Sequence, residues 1–319
     1  MSEFAGPATL LHTHKEAIGM DRFKGKVAVI TGGASGFGRE FARLGASLGM
    51  KLVLADVQAD ALDAAVNELK AAGAHVIGKR TDVSKSDEIQ ALADAAVAAF
   101  GEVNFLFNNA GVASGGLVWE SSEQDWDWVL GVNLRGVLHG VRIFTPLMLA
   151  AAGRDPEYRG HIVNTASIAG LVTAPMLGAY TVSKHAVVAL TESLYHDLGL
   201  VTDQVQCSVL CPSFVATGIN RSQRNRPAAL DAEGTPHRSQ LAAQAILDLG
   251  TGASTVSAEQ VAKLTFEGVR ERRFYICPHP DALSAAQQRF DDIMALRNPC
   301  DPFGQNEAMR AHVVATLRG

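Results

Sequence analysis

Tyr180 and Lys184 are spaced Tyr-x-x-x-Lys in a stretch of helical periodicity, and residues four apart on a helix share a face and can serve one site. An ordinary tyrosine hydroxyl, with a pKa of about 10, is a poor base near neutrality. A fixed ammonium ~4–6 Å away, at an effective dielectric near 20, favours the phenolate by about 3–4 kcal/mol, or roughly two to three pKa units. Such a pair suits moving a proton on or off an oxygen while a redox partner exchanges a hydride with the attached carbon. Ser167 follows the apolar run at 161–165 and could hydrogen-bond that oxygen as it changes between hydroxyl and carbonyl. Its plainer reading is a strand-end hydroxyl bonded to backbone.

A second cluster points to the redox partner. Thr31-Gly32-Gly33-Ala34-Ser35-Gly36-Phe37-Gly38 lies between a β-branched run at 26–31 and a helical pattern starting at 39. Glycines there let the backbone turn sharply and approach a pyrophosphate, whose charge then sits on the free N–H groups of the helix start. Glycine clusters also make ordinary turns, but this one falls between the first strand and first helix of a βαβ unit, where the mechanism operates. Asp56 ends the next strand-like run, where a carboxylate can accept from the adenosine ribose hydroxyls. It would repel the extra phosphate of NADP, and no Arg or Lys occupies Ser35 or Val57 to compensate. The expected cofactor is NAD, with NADP disfavoured.

Short apolar strands at 26–31, 51–56, 75–79, 104–108, 161–165, 206–211 and 273–277 alternate with helical stretches at 39–48, 59–72, 86–100, 126–152, 180–198, 240–249 and 257–270. That rhythm predicts an α/β fold: a single Rossmann-like doubly wound domain, its parallel sheet of about seven strands covered by helices on both faces. Residues 1–24 read as an N-terminal extension, 25–277 as the catalytic domain and 278–319 as a partly helical tail suited to docking on a neighbouring subunit. Within the domain, 213–256 reads as a substrate loop or lid. Its 213–239 part, with Arg221, Arg224, Arg226, Pro227, Gly234 and Pro236, is too polar for a core segment and is expected to be a mobile flap.

The sequence resembles the short-chain dehydrogenase/reductase family over 23–277. The motifs that carry the resemblance are Thr31-Gly32-x-x-x-Gly36-x-Gly38, Asp82-Val83, Asn108-Asn109-Ala110-Gly111, Asn133, Ser167, Tyr180-x-x-x-Lys184 and Pro212-Ser213-Phe214-Val215-x-Thr217, in that order. Two positions depart from the family pattern, Ser213 where glycine is frequent and Ala166 where a second serine is common. The resemblance implies NAD(P)-dependent interconversion of a secondary alcohol and a ketone, with Tyr180 as general acid/base and Ser167 on the substrate oxygen. It also implies that Lys184 holds the nicotinamide ribose and that Asn133 holds a proton-relaying water. The implied cofactor contacts are Gly32, Ser35, Gly36, Phe37 and Gly38 in the turn, Asp56 and Val57, Asp82 and Val83, Asn109, Ala110 and Gly111, Tyr180 and Lys184, and Pro212, Val215 and Thr217. Pairing of the helices at 126–152 and 180–198 across subunits is implied too, giving a homodimer or homotetramer.

Composition narrows the partners. A net charge of −5 with 47 % hydrophobic and 19 % charged residues suits a chain with a sizeable core and argues against nucleic-acid or anionic-membrane partners. The first twenty residues lack the basic start and long apolar run of a secretory signal, and no run of ~20 consecutive apolar residues is present, so a cytoplasmic location is expected. Cys207, Cys211, Cys277 and Cys300 read as reduced thiols without a catalytic part; Cys207 and Cys211, four apart in a strand, would be roughly 13 Å apart and unable to bridge. His12 and His14 lack a nearby acidic or thiol partner, so no metal site is expected. The segments 112–119 and 170–177 and the loop after Pro212, with Met176, Leu177 and Phe214, form an apolar wall suited to an aromatic or alicyclic secondary alcohol. The stretch Phe274-Tyr275-Ile276-Cys277-Pro278-His279-Pro280 resembles that of family members acting on aryl alcohols, including lignin-derived ones. The Arg221-Arg224-Arg226 cluster reads first as a solvated face, and otherwise as a contact for a carboxylate or phosphate. The competing readings are an NADPH-dependent biosynthetic ketoreductase and a non-catalytic NAD-binding sensor; the latter has no need of a proton relay.

Overall fold

Seven short strands, the inner ones buried along almost their whole length and the edge ones partly exposed, line up side by side and share two layers of helices. The computed structural model describes residues 22–231, 235–304 and 306–319; His12 and His14 lie outside them. The strands are β1 (Val27–Thr31), β2 (Lys51–Asp56), β3 (Val76–Arg80), β4 (Phe105–Asn108), β5 (Gly160–Thr165), β6 (Val205–Leu210) and β7 (Tyr275–Ile276). Their order is β3-β2-β1-β4-β5-β6-β7, with every pairing parallel. The helices are α1 (Gly36–Ser47), α2 (Ala59–Ala71), α3 (Ser86–Phe100), α4 (Glu123–Leu130), α5 (Gly136–Arg154), α6 (Gly178–Val201), α7 (Arg238–Gly252), α8 (Ala258–Arg270), α9 (Leu283–Met294) and α10 (Glu307–Arg318). This is the doubly wound parallel sheet that the sequence predicts.

Each face of the sheet has its own core. On one side α3, α5 and α6 bring Ile89, Leu92, Phe144, Met148 and Val187 against Val29, Leu106 and Ile162. On the other, α1, α2 and α8 bring Phe41, Leu62 and Phe266 against Ile30, Leu54 and Phe107, where the Phe107 and Phe266 rings stack with centroids 5.5 Å apart. After β3 the chain crosses to the far side of β1 to form β4, so a crevice opens beyond the carboxyl ends of β1 and β4. That switch point is where open α/β sheets hold ligands. Thr31 closes its floor by donating from Oγ1 to the Phe107 carbonyl at 3.3 Å.

The helix expected at 126–152 is two helices. It starts earlier because Ser122 and Asp125 form a reciprocal capping box at α4, and a π turn, Gly131–Arg135, separates α4 from α5. The stretch Glu123–Arg154 is long and apolar enough to cross a membrane, yet 44 % of its apolar window is buried inside the protein. The tail forms α9 and α10, and α10 packs on its own chain, with Val313 buried against Ala243 of α7 and Met176.

The polar segment after β6 folds into 3-10 turns at Ile219–Asn225 and Ala228–Leu230. Arg221 and Arg224 are exposed, as a solvated face would be, but Arg226 is not. Its guanidinium donates to Asp125 at 2.6 Å and to the Leu230 carbonyl at 2.5 Å, lies 5.2 Å from the Trp128 ring centroid, and only 6 % of its side chain is exposed. Burial pushes the Asp125 carboxyl up, but hydrogen bonds from Arg226 and Ser122 more than offset this and hold it below the usual aspartate value. Arg226→Ala would leave Asp125 buried and uncompensated, so urea denaturation should show a loss of about 3–5 kcal/mol. A loss below about 1 kcal/mol, the size of a surface pair, would show that this ion pair does not anchor the segment.

Candidate active site

The glycine turn is built for close approach. Gly32 and Gly36 have φ of +64° and +52°, a region that side chains with a Cβ avoid. A Cβ on Gly38 would stand 2.1 Å from the Gly32 carbonyl oxygen, so α1 can begin here only with glycine. Ser35 precedes α1 without a side-chain cap, and the first turn carries no acidic residue, which leaves its N–H groups for an anion. Asp56, buried at the end of β2, accepts from the Ala34 N–H at 3.1 Å and the Gln58 N–H at 3.0 Å, with Val57 beside it. Beyond β3, Asp82 accepts from the Ser84 N–H and hydroxyl, and Val83 packs where Gly136 begins α5. Beyond β4, the Asn109 and Ala110 N–H groups donate to Thr31 Oγ1 at 2.9 and 3.1 Å.

The second cluster gathers where β5 and β6 end. Lys184, 3 % exposed, donates from Nζ to the Thr165 carbonyl at 2.9 Å and lies 5.6 Å from the Tyr180 ring centroid. Burial lowers its pKa to about 8. Burial also pushes the Tyr180 hydroxyl above its ordinary value, opposed by a hydrogen bond with Ser167. Ser167 caps the 3-10 turn Ile168–Gly170, accepting from the Ala169 N–H and donating to the Pro212 carbonyl, both at 3.2 Å. Asn133, fully buried in the π turn, exchanges two bonds with the Val112 backbone, at 2.8 and 2.9 Å, and donates to Ser183 at 3.0 Å. A Cβ on Gly111 would lie 3.5 Å from Asn133 Oδ1 and 3.6 Å from Lys184 Nζ.

Both clusters open into one cavity of about 360 Å³. Of the residues singled out from sequence, Gly32, Ser35, Gly36, Phe37, Asp56, Val57, Asp82, Val83, Asn109, Ala110, Gly111, Ser167, Tyr180, Lys184, Pro212, Val215 and Thr217 line it. Gly38 and Asn133 stand behind its wall. Thr217 also closes over the glycine turn, since a Cβ on Gly36 would meet its side chain at 3.0 Å. The remaining wall is mostly apolar, with Asp127, Ser222, Arg224 and Asn225 among its polar members. Leu177 and Phe214 face the cavity as expected, but Met176 does not: it turns away with φ +59° into the contact with Ala243 and Val313, 3 % exposed. Trp119 is on the surface. Ile219, Leu230 and Leu247, from the 213–256 segment expected to border substrate, line the cavity together with Trp128, which no local spacing in the sequence marks.

This fold and site define an oxidoreductase of the doubly wound, dinucleotide-binding class. The short chain dehydrogenase family model matches residues 26–228, and the chain belongs to that family. It is 58 % identical to a short chain dehydrogenase/reductase from Burkholderia phymatum solved in complex with NAD, with a TM-score of 0.86 over 88 % of this chain and 98 % of that one. The C alpha-dehydrogenase of a Sphingobium species is 32 % identical over 295 residues, 92 % of this chain and 93 % of that protein. The CLA biosynthesis dehydrogenase/reductase of Lactiplantibacillus plantarum is 32 % identical over 282 residues, 86 % of this chain and 95 % of that protein.

The buried lysine carries a measurable cost. Between its folded value of about 8 and the ordinary 10.5, the unfolded chain binds a proton that the folded chain has released. The unfolding free energy of the cofactor-free protein should therefore rise as pH climbs through that window, by up to about 3 kcal/mol. Lys184→Met should lack this rise. Equal slopes for the two proteins in urea titrations between those pH values would contradict the burial of the ammonium.

Proposed function

We propose that this protein is an NAD-dependent dehydrogenase that interconverts an apolar secondary alcohol and its ketone, with Tyr180 as general acid/base. One observation carries the reading: Ser167, Tyr180 and Lys184 share a single cavity with the glycine turn and with Asp56. The cavity fits the dinucleotide. The turn through Gly32 and Gly36 presents the uncapped N–H groups of α1 to a pyrophosphate, and Asp56 offers a carboxylate to the adenosine ribose and repels a 2′-phosphate. Lys184 and Tyr180 stand where they can hold the second ribose. The NAD bound to the Burkholderia phymatum relative supports the same choice.

When bound, the nicotinamide supplies the hydride acceptor or donor. The protein's own part is proton transfer and position. Ser167 turns its hydroxyl from the Pro212 carbonyl to the substrate oxygen and steadies the charge there. Tyr180 takes the alcohol proton, or returns it to the ketone. Burial alone holds the phenol protonated, so the Lys184 ammonium lowers the cost of phenolate, and the charge of the oxidised ring acts the same way. The Asn133 side chain is fully engaged; the change to i→i+5 bonding in its π turn frees a main-chain carbonyl, which can seat the water that relays the proton from Lys184. Trp128, Leu177, Phe214, Leu230 and Leu247 favour an aromatic or alicyclic substrate over a sugar. Exposed apolar side chains on α5 and α6, Leu147, Val182 and Tyr195, support pairing of these helices in a homo-oligomer.

Absorbance at the reduced-nicotinamide band, followed across a panel of aryl and alicyclic secondary alcohols with NAD and NADP in parallel, tests the whole reading. Tyr180→Phe should cut turnover by at least about 10²–10⁴-fold, the usual contribution of general acid–base catalysis, and leave NAD binding intact; near-normal turnover would refute the proton role. Asp56→Ala should weaken NAD binding about tenfold or more, the worth of a charge-assisted hydrogen bond, and narrow the preference for NAD over NADP. An unchanged preference would sink the role given to this carboxylate.

A further inference from the structure

Behind the catalytic lysine lie two thiols that the proton chemistry does not use. Cys211 follows β6 and Cys277 follows β7. The parallel register pairs Leu210 with Ile276, and the Cys211 N–H donates to the Ile276 carbonyl at 2.8 Å, so the next residues on the two strands stand side by side. Neighbouring strands run roughly 4.7–4.9 Å apart, and in-register side chains leave the same face. That spacing falls inside the roughly 4.4–6.8 Å between Cα atoms that a disulfide requires. The two thiols are close enough to shift each other's titration. Cys211 is 1 % exposed, whereas Cys277 is half-buried and can be reached. Cys211 lies between Leu210, whose carbonyl accepts from the Ala166 N–H, and Pro212, whose carbonyl accepts from the Ser167 hydroxyl, and its charge raises the Lys184 pKa against the effect of burial. Among the described residues the other two cysteines have no such partner: Cys207 donates to the Thr191 carbonyl, and Cys300 is exposed.

We propose that Cys211 and Cys277 form a reversible dithiol–disulfide site that small hydroperoxides oxidise and whose state is read by Ser167 and Lys184. Proximity to the Cys211 thiol lowers the Cys277 pKa against the pull of burial; the same proximity, together with burial, raises that of Cys211 well above the ordinary thiol value, and Cys277 is also the more exposed of the two. Cys277 is therefore the attacking thiolate. Its sulfur takes the distal oxygen of the peroxide; the O–O bond breaks, the alkoxide leaves as alcohol with a proton, and Cys277 becomes a sulfenic acid. The Cys211 sulfur then displaces that hydroxyl as water and the S–S bond forms. Overall two electrons pass from the thiol pair to the peroxide. Drawing the Cys211 sulfur towards Cys277 shifts the adjoining Pro212 carbonyl that holds Ser167 and ends the electrostatic coupling of Cys211 to Lys184, so turnover falls while the glycine turn and Asp56 still bind dinucleotide.

The test treats the full-length protein, loaded with NAD, with tert-butyl hydroperoxide, alkylates the remaining thiols and maps peptides without reduction. The expected product joins the Cys211 and Cys277 peptides and is lost with dithiothreitol. Turnover of the best alcohol in the panel should fall about tenfold, equivalent to ~1.4 kcal/mol of barrier, and recover with the thiol. Cys277→Ser should start at wild-type turnover and resist the peroxide, and Cys300→Ser should cross-link normally. Oxidation confined to Cys300, or a sulfinate on Cys277 with no cross-link, would overturn the site. A cross-link that leaves turnover unchanged would overturn its link to Lys184. The cross-link is read by mass alone, so it stands or fails separately from the dehydrogenase reading.

Discussion

A cation held in the dry edge of a parallel sheet sets the terms for the rest of this protein. The Lys184 ammonium has a single fixed partner among the described side chains and carbonyls, the Thr165 oxygen, and a buried charge with so little compensation is expensive. The cost can be met only if its surroundings cannot relax away. α6 runs from Gly178 to Val201, long enough to be fixed by many contacts. A buried chain of amides and hydroxyls then ties it to the sheet: Asn108 donates to Asn164, and Asn164 to Thr191 of α6. The same ladder joins β4, β5 and α6, the three elements whose ends carry Asn109, Ser167 and Tyr180. Rigidity and site are thus one arrangement, and a cofactor entering the cavity meets groups already aimed.

The sequence is legible where a functional demand is local. The turn from Thr31 to Gly38 asks for particular backbone angles over a few consecutive residues, and glycine is the residue that supplies them. Tyr180 and Lys184 ride one helix, so their spacing alone declares a shared face. The strands read well because parallel strands buried on both faces are unbroken apolar runs, and only the edge strand β7 came out shorter than its pattern suggested. Element order then brings the two motif clusters together without further information.

What stayed hidden depends on pairings between distant parts of the chain. Arg226 looks like one member of a polar loop until it meets Asp125, 101 residues away. Met176 has the composition of a pocket wall, yet the C-terminal helix offers it Val313 and draws it off. Trp128 lies inside a helix pattern whose inward face gives no hint of a cavity. The π turn at Asn133 leaves no mark in the helical periodicity; three of its five residues, Gly131, Val132 and Asn133, are weak helix formers, but only the structure shows that two hydrogen bonds tie the Asn133 amide to the Val112 backbone. Cys211 and Cys277 become neighbours only through the pairing of β6 with β7.

The anchoring of the segment after β6 bears on how substrate enters. A flap with no fixed contacts would admit water as readily as substrate, and a dry cavity is what makes the charges in it effective. The Asp125–Arg226 pair offers another arrangement. Closed, each ion is paired, Ser122 bonds to the carboxylate and Trp128 covers the guanidinium. Were the segment to lift, both ions would return to water, which would compensate most of the lost attraction because the desolvation penalty is refunded at the same step. Deleting one partner lacks that refund, so mutation costs far more than opening. A buried ion pair can therefore make the closed state well defined and still leave opening within thermal reach, a property that a hydrophobic clasp of equal area would not share.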